Sequence, residues 1–379
     1  MVKGIILSGG WGTRLRPLTC TIPKTLIPVV NKPVIERQML LLKDAGVEEI
    51  VLAVSVMAED LKNYFGDGEK LGLKIYYTNE ENPMGTAGAI KLAEEYLNDD
   101  NFFMLNGDVI LNFDFKEMYD DHEQYGGIGT IASRMVDDPS RYGVLIIDEE
   151  TQQIKQFLEK KEYKSPEGKV VPMPINAGVY ILEPEIFSYI QPNRKVSIEK
   201  EVFPELAEKN LLYHHPITGI WKDIGKPFEL LQGNILLLKD LLKKKPKDTK
   251  NLLGEGLDIE GRAELFPPTS IGDNVSIRNN CKIGPNVIIG DNVYIGKNSE
   301  IQNALIYGET YISDNVTIED AIISNDCQIK KNVVVKGNGQ NLVILSSYVR
   351  VNEGLTLKAP QDNNISVCHH EVVKENMKY

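Results

Sequence analysis

A six-residue rhythm in the last third of the chain limits the possible folds more than any other feature. Ile271, Ile277, Ile283, Ile289, Ile295 and Ile301 recur at every sixth position. A five-residue step restores the register at Ile306, Ile312 and Ile318, and a second leads to Ile323, Ile329 and Val335. Glycine follows four of the early isoleucines, at Gly272, Gly284, Gly290 and Gly296. Alternation in a β-sandwich has a period of two and does not sustain a period of six. A hexad repeat specifies stacked parallel coils. Each hexad forms one face, the aliphatic residue points inward, and glycine or asparagine turns the corner. The spacing predicts a parallel β-helix.

The first part of the chain follows another rule. Gly4–Leu7, Ile50–Val54, Leu73–Tyr77 and Phe102–Leu105 are short apolar runs bounded by turn or charged residues, the pattern of buried strands. Helical spacing occupies Val34–Ala45, Glu59–Tyr64 and Ala87–Leu97 between them. Such alternation implies a parallel sheet covered on both faces, with ligands at the carboxyl ends of its strands. From about Phe113 the pattern is mixed, with strands at Gly129–Ser133, Gly143–Ile147 and Gly178–Leu182, and a helix over Phe228–Lys245. Residues 246–262 are polar and glycine-bearing. The expected division is a domain over 1–240, a linker over 241–262, the β-helix over 263–368 and a tail over 369–379.

A chain of 379 residues exceeds one ordinary core. Its 42 Lys+Arg against 54 Asp+Glu, a net charge of −12, argue against a nucleic-acid binder but permit a local basic pocket. No run is apolar enough to span a bilayer, and the start lacks the cleavage site of a secretory leader. Cys20, Cys281, Cys327 and Cys368 have neither zinc nor redox spacing and read as reduced thiols, so the expected location is the cytoplasm. The pairs His214-His215 and His369-His370 read as surface or packing residues.

The strongest local signal is GGWGTRLRPLT at 9–19, followed by PKTLIPVVNKP at 23–33. Gly9, Gly10 and Gly12, placed just after a strand that ends in Leu7-Ser8, let backbone N–H groups approach a polyphosphate. Thr13 adds a hydroxyl, and Arg14 a fork of charged donors. The string is neither a P-loop nor a dinucleotide fingerprint. Lys24, between a proline and an apolar stretch, is expected to be held in place for a triphosphate. Asp108 follows the strand FFMLNGD, a suitable position for an oxygen ligand to Mg²⁺. Asp223 in GIWKDIGKP, framed in a turn by Trp221 and Gly225, is the candidate second carboxylate. An aspartate capping that turn is the alternative.

These motifs, with EENPMGTAGAI (80–90), NGDVI (106–110), RYGV (141–144), FLEK (157–160), NAGVY (176–180), SIEKEVFP (197–204) and WKDIGKP (221–227), make the chain resemble the nucleotide-sugar pyrophosphorylase family over nearly all of residues 1–240. The resemblance implies an α/β fold: a Rossmann-like mixed-sheet nucleotidyltransferase domain followed by a left-handed parallel β-helix of hexapeptide repeats. It implies that Leu7, Ser8, Gly9, Gly10, Gly12, Thr13, Arg14 and Lys24 hold the nucleoside triphosphate, with Gly85 and Thr86 against the base. Gly143, Glu159, Lys160, Asn176, Gly178 and Glu199 would bind the sugar phosphate. Asp108 and Asp223 would hold Mg²⁺, and Arg14, Lys24, Asp108 and Asp223 would form the catalytic set. The implied reaction is in-line attack of a sugar 1-phosphate on the α-phosphorus, releasing pyrophosphate. One departure is Lys161, where the family has proline after FxEK; it opens a Lys/Glu-rich insertion through Pro174.

Glu80 stands where uridylyl- and thymidylyl-transferring relatives carry glutamine. A carboxylate only accepts hydrogen bonds, and guanine offers two adjacent donors, its N1–H and 2-amino group. GTP is therefore the expected triphosphate. SIEKEVFP draws the sugar towards mannose, so the expected reaction converts GTP and mannose 1-phosphate to GDP-mannose. Three readings stand beside it: uridylyl or thymidylyl transfer to glucose or N-acetylglucosamine 1-phosphate, a non-catalytic regulatory subunit that binds nucleotide sugars, and acyl transfer by the β-helix. The last lacks the usual histidine base, since residues 271–368 contain none. The β-helix is expected to serve homo-oligomer assembly.

Overall fold

A computed structural model describes residues 2–80, 82–160, 163 and 170–378. The insertion after Lys160 therefore lies largely outside the described residues. The chain divides into two compact units, one of residues 1–10 and 34–221, the other of 11–33 and 222–379.

The first unit is built on a Rossmann-like mixed sheet. Its strands run in the order Ile154–Leu158, Val144–Ile147, Met173–Leu182, Phe102–Asn106, Lys3–Ser8, Glu49–Val54 and Lys74–Asn79. The last four are mutually parallel. Met173–Leu182 enters antiparallel, against both Phe102–Asn106 and Gly129–Val136. The expected apolar runs are the strand centres: Ile5, Ile6, Phe102, Phe103, Met104 and Leu105 are fully buried. The helix Val34–Asp44 turns Val34, Ile35, Met39 and Leu42 inward, as its spacing predicts. The expected helix over Ala87–Leu97 is instead two, Gly85–Leu92 and Glu94–Leu97. The break coincides with tight three-residue bonds, Ala93 N to Ile90 O at 2.9 Å and Tyr96 N to Ala93 O at 3.0 Å.

All four parallel strands point the same way, so Ser8, Val54, Asn79 and Asn106 end at one edge of the sheet. Gly9, Glu80 and Asp108, far apart in sequence, follow directly on these neighbouring ends. This placement depends on topology alone.

The second unit is dominated by parallel strands, all of two to seven residues. Asn251 pairs with Thr269 and Thr269 with Val287, steps of 18 residues. Val287 pairs with Ala304 and Ala304 with Ala321, steps of 17, where the hexads shorten by one residue. Ala321 pairs with Val343 and Val343 with Ile365, steps of 22. Every isoleucine of the repeat, and Val335, is at most 2% exposed. Of the two residues expected at the corners, asparagine is the one that mostly turns them. Asparagine adopts the left-handed conformation, at Asn274, Asn280, Asn286, Asn292 and Asn298 among others, whereas Gly272, Gly290 and Gly296 do not. Gly272 is needed for room, because a Cβ there would lie 2.8 Å from the Gly290 carbonyl carbon of the next rung.

The stretch expected as a linker carries two strands, Asn251–Leu253 and Asp258–Ile259, that pair into these sheets. The expected tail does the same through Val372–Val373 and Met377–Lys378. Leu253, Ile259 and Leu265 carry the six-residue spacing back from Ile271, and Val373 follows Val367 by six, a signal masked by the polar and glycine-bearing residues between them. Asn31, Pro17 and Thr21 hydrogen bond with this unit, which accounts for residues 11–33 clustering with the C-terminal part.

Candidate functional site

In the first unit, Asp108, expected at a strand end, lies two residues beyond it. Its strand stops at Asn106, and Gly107-Asp108 form a turn before the strand Val109–Asn112. The turn is tied down on both sides. Gly107 N donates to Leu7 O at 3.0 Å, fixing the turn to the first strand. From the helix Val34–Asp44, Gln38 Nε2 donates to Asn106 O at 2.9 Å and to Val109 O at 2.8 Å. Gln38 is 1% exposed, and its Oε1 has no hydrogen-bond partner among the described residues. Sequence reasoning missed Gln38. The available signal was a glutamine on the inward stripe of an amphipathic helix. On the neighbouring strand end, Ser55 Oγ donates to Gly9 O at 2.7 Å, while Gly10 has open space where a side chain would be.

Glu80 is half-buried and accepts a 3.4 Å bond from Met84 N. Burial pushes its carboxyl above the usual carboxylate range, with the Met84 N–H acting in the opposite direction. Gly85 has a φ of +76°, and a Cβ on it would meet Val196 O at 2.5 Å. Only glycine fits, so Met84–Gly88 packs against the 196 segment: Val196 N donates to Met84 O and Ala87 N to Val196 O. The expectation that Thr86 lies against the base must accommodate its observed partner. Its hydroxyl donates to Glu199 Oε2 at 2.6 Å and accepts from Ile198 N at 2.9 Å. Ser197 Oγ donates to the same Glu199 oxygen at 2.8 Å, a contact absent from the sequence reading.

Asn176 and Gly178 lie at a register shift in the pairing of Met173–Leu182 with Gly129–Val136. Asn176 Oδ1 accepts from Gly178 N, and Asn176 Nδ2 donates to the buried Tyr180 hydroxyl, both at 2.9 Å. A Cβ on Gly178 would strike the Asn106 side chain at 2.6 Å, so the residues two before Asp108 and two after Asn176 are in contact range. Asn176 N also donates to Gly143 O at 2.9 Å. A Cβ on Gly143 would lie 3.6 Å from Glu159 Oε1, so Gly143, Glu159 and Asn176 are neighbours. Lys160 is an exposed turn residue.

In the second unit, Gly12 takes the left-handed conformation, φ 59°, and a Cβ there would meet Thr19 Cγ2 at 2.8 Å and Lys24 Cβ at 3.1 Å. Thr19 Oγ1 donates to Gly12 O at 2.9 Å. The loop thus folds back on the start of the second motif. Lys24 is buried, whereas Thr13 and Arg14 are exposed. Asp223 is the last residue of the strand Ile220–Asp223, not part of a turn. A Cβ on Gly225 would be 3.1 Å from both Arg14 Nη2 and Asp223 Oδ2. Gly225 therefore leaves room for a guanidinium and a carboxylate side by side, a proximity that linear sequence does not disclose.

Among the described residues, no group of three or more His, Cys, Asp or Glu side chains could hold a metal ion. The four cysteines are free thiols. His214 and His215 are buried, bonded to Ser133 Oγ at 3.0 Å and Asp121 Oδ2 at 2.7 Å. Among the described residues, no helix is long and apolar enough to cross a membrane.

Both parts of the chain resemble known proteins. Residues 3–240 match the family described as nucleotidyl transferase. The chain belongs to that family. Residues 265–379 match the GMPPB C-terminal domain. A mannose-1-phosphate guanyltransferase of Saccharomyces cerevisiae is 46% identical over 277 residues, 71% of this chain and 72% of the relative. A mannose-1-phosphate guanylyltransferase catalytic subunit beta of Xenopus tropicalis is 41% identical over 278 residues, 73% and 74% of the two chains. The structure of HddC from Yersinia pseudotuberculosis complexed with GMP-PN matches with a TM-score of 0.52 and 30% identity, covering 62% of this chain and 98% of that one. Among nucleotidyl transferases, this chain is a nucleotide-sugar pyrophosphorylase of the mannose-1-phosphate guanylyltransferase type.

Proposed function

We propose that the protein joins GTP to mannose 1-phosphate, giving GDP-mannose and pyrophosphate. The observation that carries this reading is the placement of Gly9, Glu80 and Asp108 beyond the carboxyl ends of parallel strands along one sheet edge, in a chain whose relatives are named for that reaction. Gly9, Gly10, Gly12 and Thr13 offer backbone and hydroxyl donors to the triphosphate, with Leu7 and Ser8 ending the strand beneath. Arg14 and Lys24 neutralise charge that develops as the α-phosphorus is attacked. Glu80 accepts from the guanine N1–H and 2-amino group. Thr86 contributes by holding Glu199, while Glu199, Asn176, Gly143, Gly178, Glu159 and Lys160 bind the sugar phosphate.

Mg²⁺ fits the donor chemistry. It takes oxygen ligands, commonly one or two carboxylates plus substrate phosphates and water, and needs no larger cluster of protein ligands. Asp108 and Asp223 are the carboxylates that would hold it. When bound, it would neutralise phosphate charge and orient the triphosphate.

The domain division proposed from the sequence is catalytic residues 1–240 and a C-terminal repeat domain from about 263. The pairing steps of 18 and 17 residues, three hexads or three less one residue, support winding of that domain as a left-handed β-helix. Its flat faces would serve self-assembly. Light scattering on the full chain tests this, and a monomer at micromolar concentration refutes it.

A pyrophosphate-release assay across a matrix of triphosphates and sugar 1-phosphates tests the reaction. The highest kcat/KM is expected for GTP with mannose 1-phosphate, and a preference for UTP or dTTP overturns the base assignment. Asp108→Asn should lower kcat by about 100-fold or more with the fold unchanged. An active Asp108→Asn enzyme contradicts the metal role.

A further inference from the structure

Within the second unit, the segment bearing Arg14 and Lys24 is fastened to the parallel-sheet domain by polar contacts rather than by apolar packing alone. Ser346 Oγ donates to Pro17 O at 2.9 Å, and the Thr21 and Ser347 hydroxyls are 3.0 Å apart. Further along, the Tyr307 hydroxyl donates to Pro28 O at 3.3 Å and Asn31 Nδ2 to Ile289 O at 2.7 Å. Asn234, fully buried in the helix Pro227–Lys243, accepts from Val30 N at 2.8 Å.

The domain side of these contacts is a single column. Ile289, Ile306, Ile323 and Leu345 are successive rung partners, and the residues after them are Gly290, Tyr307, Ser324 and Ser346. The glycine that follows the early isoleucines thus gives way to hydroxyl-bearing residues where the segment docks. Tyr307, Ser324, Ser346 and Ser347 are all at most 3% exposed. Ser324 Oγ lies 3.0 Å from Ser347 Oγ, extending the network one rung deeper. Buried hydroxyls weaken a stack unless bonded, so a column of them marks a specific docking seam.

The seam meets the segment between its two functional cations. Pro17 and Thr21 are each three residues from one of them, Arg14 on one side and Lys24 on the other. Thr19, between the anchors, holds Gly12 O and packs on the Gly12 backbone beside Lys24. We propose that Ser346 and Ser347, with Tyr307, are positioning residues for nucleotide binding: the C-terminal domain sets the conformation of the glycine-rich loop through this seam. This rests on the reading of Arg14 and Lys24 as phosphate-binding groups.

The full-length variant Ser346→Ala/Ser347→Ala tests it, with Thr21→Val removing the same contact from the half-buried loop side. Each should raise the Kd for a non-hydrolysable GTP analogue and the KM for GTP about tenfold, while the KM for mannose 1-phosphate stays within twofold. Ser299→Ala is the control. Its hydroxyl is equally buried in the same domain but donates to Ser313 O at 3.1 Å, within the stack. It should lower Tm without moving GTP affinity. Unchanged GTP affinity in both seam variants, or an equal loss in Ser299→Ala, overturns the proposal. Arg14→Ala separates the two levels: if it weakens GTP binding and the seam variants do not, the seam fails and the phosphate reading stands. If Arg14→Ala leaves GTP binding intact, the phosphate reading fails first.

Discussion

Replacing Gln38 with leucine separates stability from catalysis in a way the local geometry makes quantitative. The wild-type amide donates twice, to Asn106 O and Val109 O, on either side of the Asp108 turn. Leucine leaves both carbonyls without this donor, at about 1–3 kcal/mol each. The same substitution removes Oε1, a buried acceptor with no partner among the described residues, whose desolvation costs about 1–3 kcal/mol. The second effect offsets part of the first, and leucine is close to glutamine in volume, so Tm should fall by several degrees while the chain stays folded. The turn, however, loses both tethers from the helix, while the Gly107–Leu7 bond remains. A displacement near 1 Å of a group that orients reacting phosphates costs about 100-fold in rate. Pyrophosphate release should therefore drop by about 10- to 100-fold, with a higher half-saturating Mg²⁺ concentration and little change in the KM for mannose 1-phosphate. A folded Gln38→Leu enzyme with wild-type kcat and Mg²⁺ dependence would show that the turn holds itself.

Gly85→Ala forces a Cβ into the left-handed region, at about 1–2 kcal/mol, and against Val196 O. It should lower Tm by several degrees and reduce kcat/KM for GTP, and wild-type kinetics would refute the close approach. Burial raises the Glu80 carboxyl above its ordinary value, and in the proposed base site the ionised form is the one that would accept from both guanine donors. The KM for GTP should rise as pH falls into that raised range, and Glu80→Gln should abolish the dependence; an unaltered pH profile removes Glu80 from the base site. Burial lowers His122 to about 4, so the folded protein binds fewer protons than the unfolded chain below the ordinary histidine value of about 6.5. Its contribution, on the order of 3 kcal/mol, is complete above pH 6.5 and lost as pH falls towards 4. Chemical denaturation across this window should show the loss, and a slope unchanged in His122→Gln would exclude His122 as its source.

The sequence was most informative where structure depends on near neighbours or strict periodicity. The hexad isoleucines mark the buried column because each repeats the same environment, and GIIL and FFML mark strand centres because nothing polar interrupts them. Long-range tethers left only faint traces. Gln38 looks like an ordinary helix residue until Asn106 and Val109 are placed beside it. Ser346 looks like a surface serine until Pro17 is. The strands at 251–259 escaped notice although Leu253 and Ile259 keep the six-residue spacing, because the lysines, glycines and acidic residues around them read as a linker. Asp223 appears to sit in a turn because Gly225 suggests one, but that glycine makes way for Arg14. The loop residues were found by chemistry, and their supports only by topology.

The bond between Ser346 and Pro17 spans 329 positions. During synthesis, the N-terminal loop leaves the ribosome hundreds of residues before the rung that receives it. Parallel steps of 17–22 residues can close as they appear, but this contact waits until residue 346 has been made. A nascent chain stalled before residue 346 would hold its sheet strands in order and leave the 11–33 segment without its final seat. On the proposed role of the seam, nucleotide affinity would then arise only once Ser346 and Ser347 are in place, so a contact made late in synthesis would govern a loop made early.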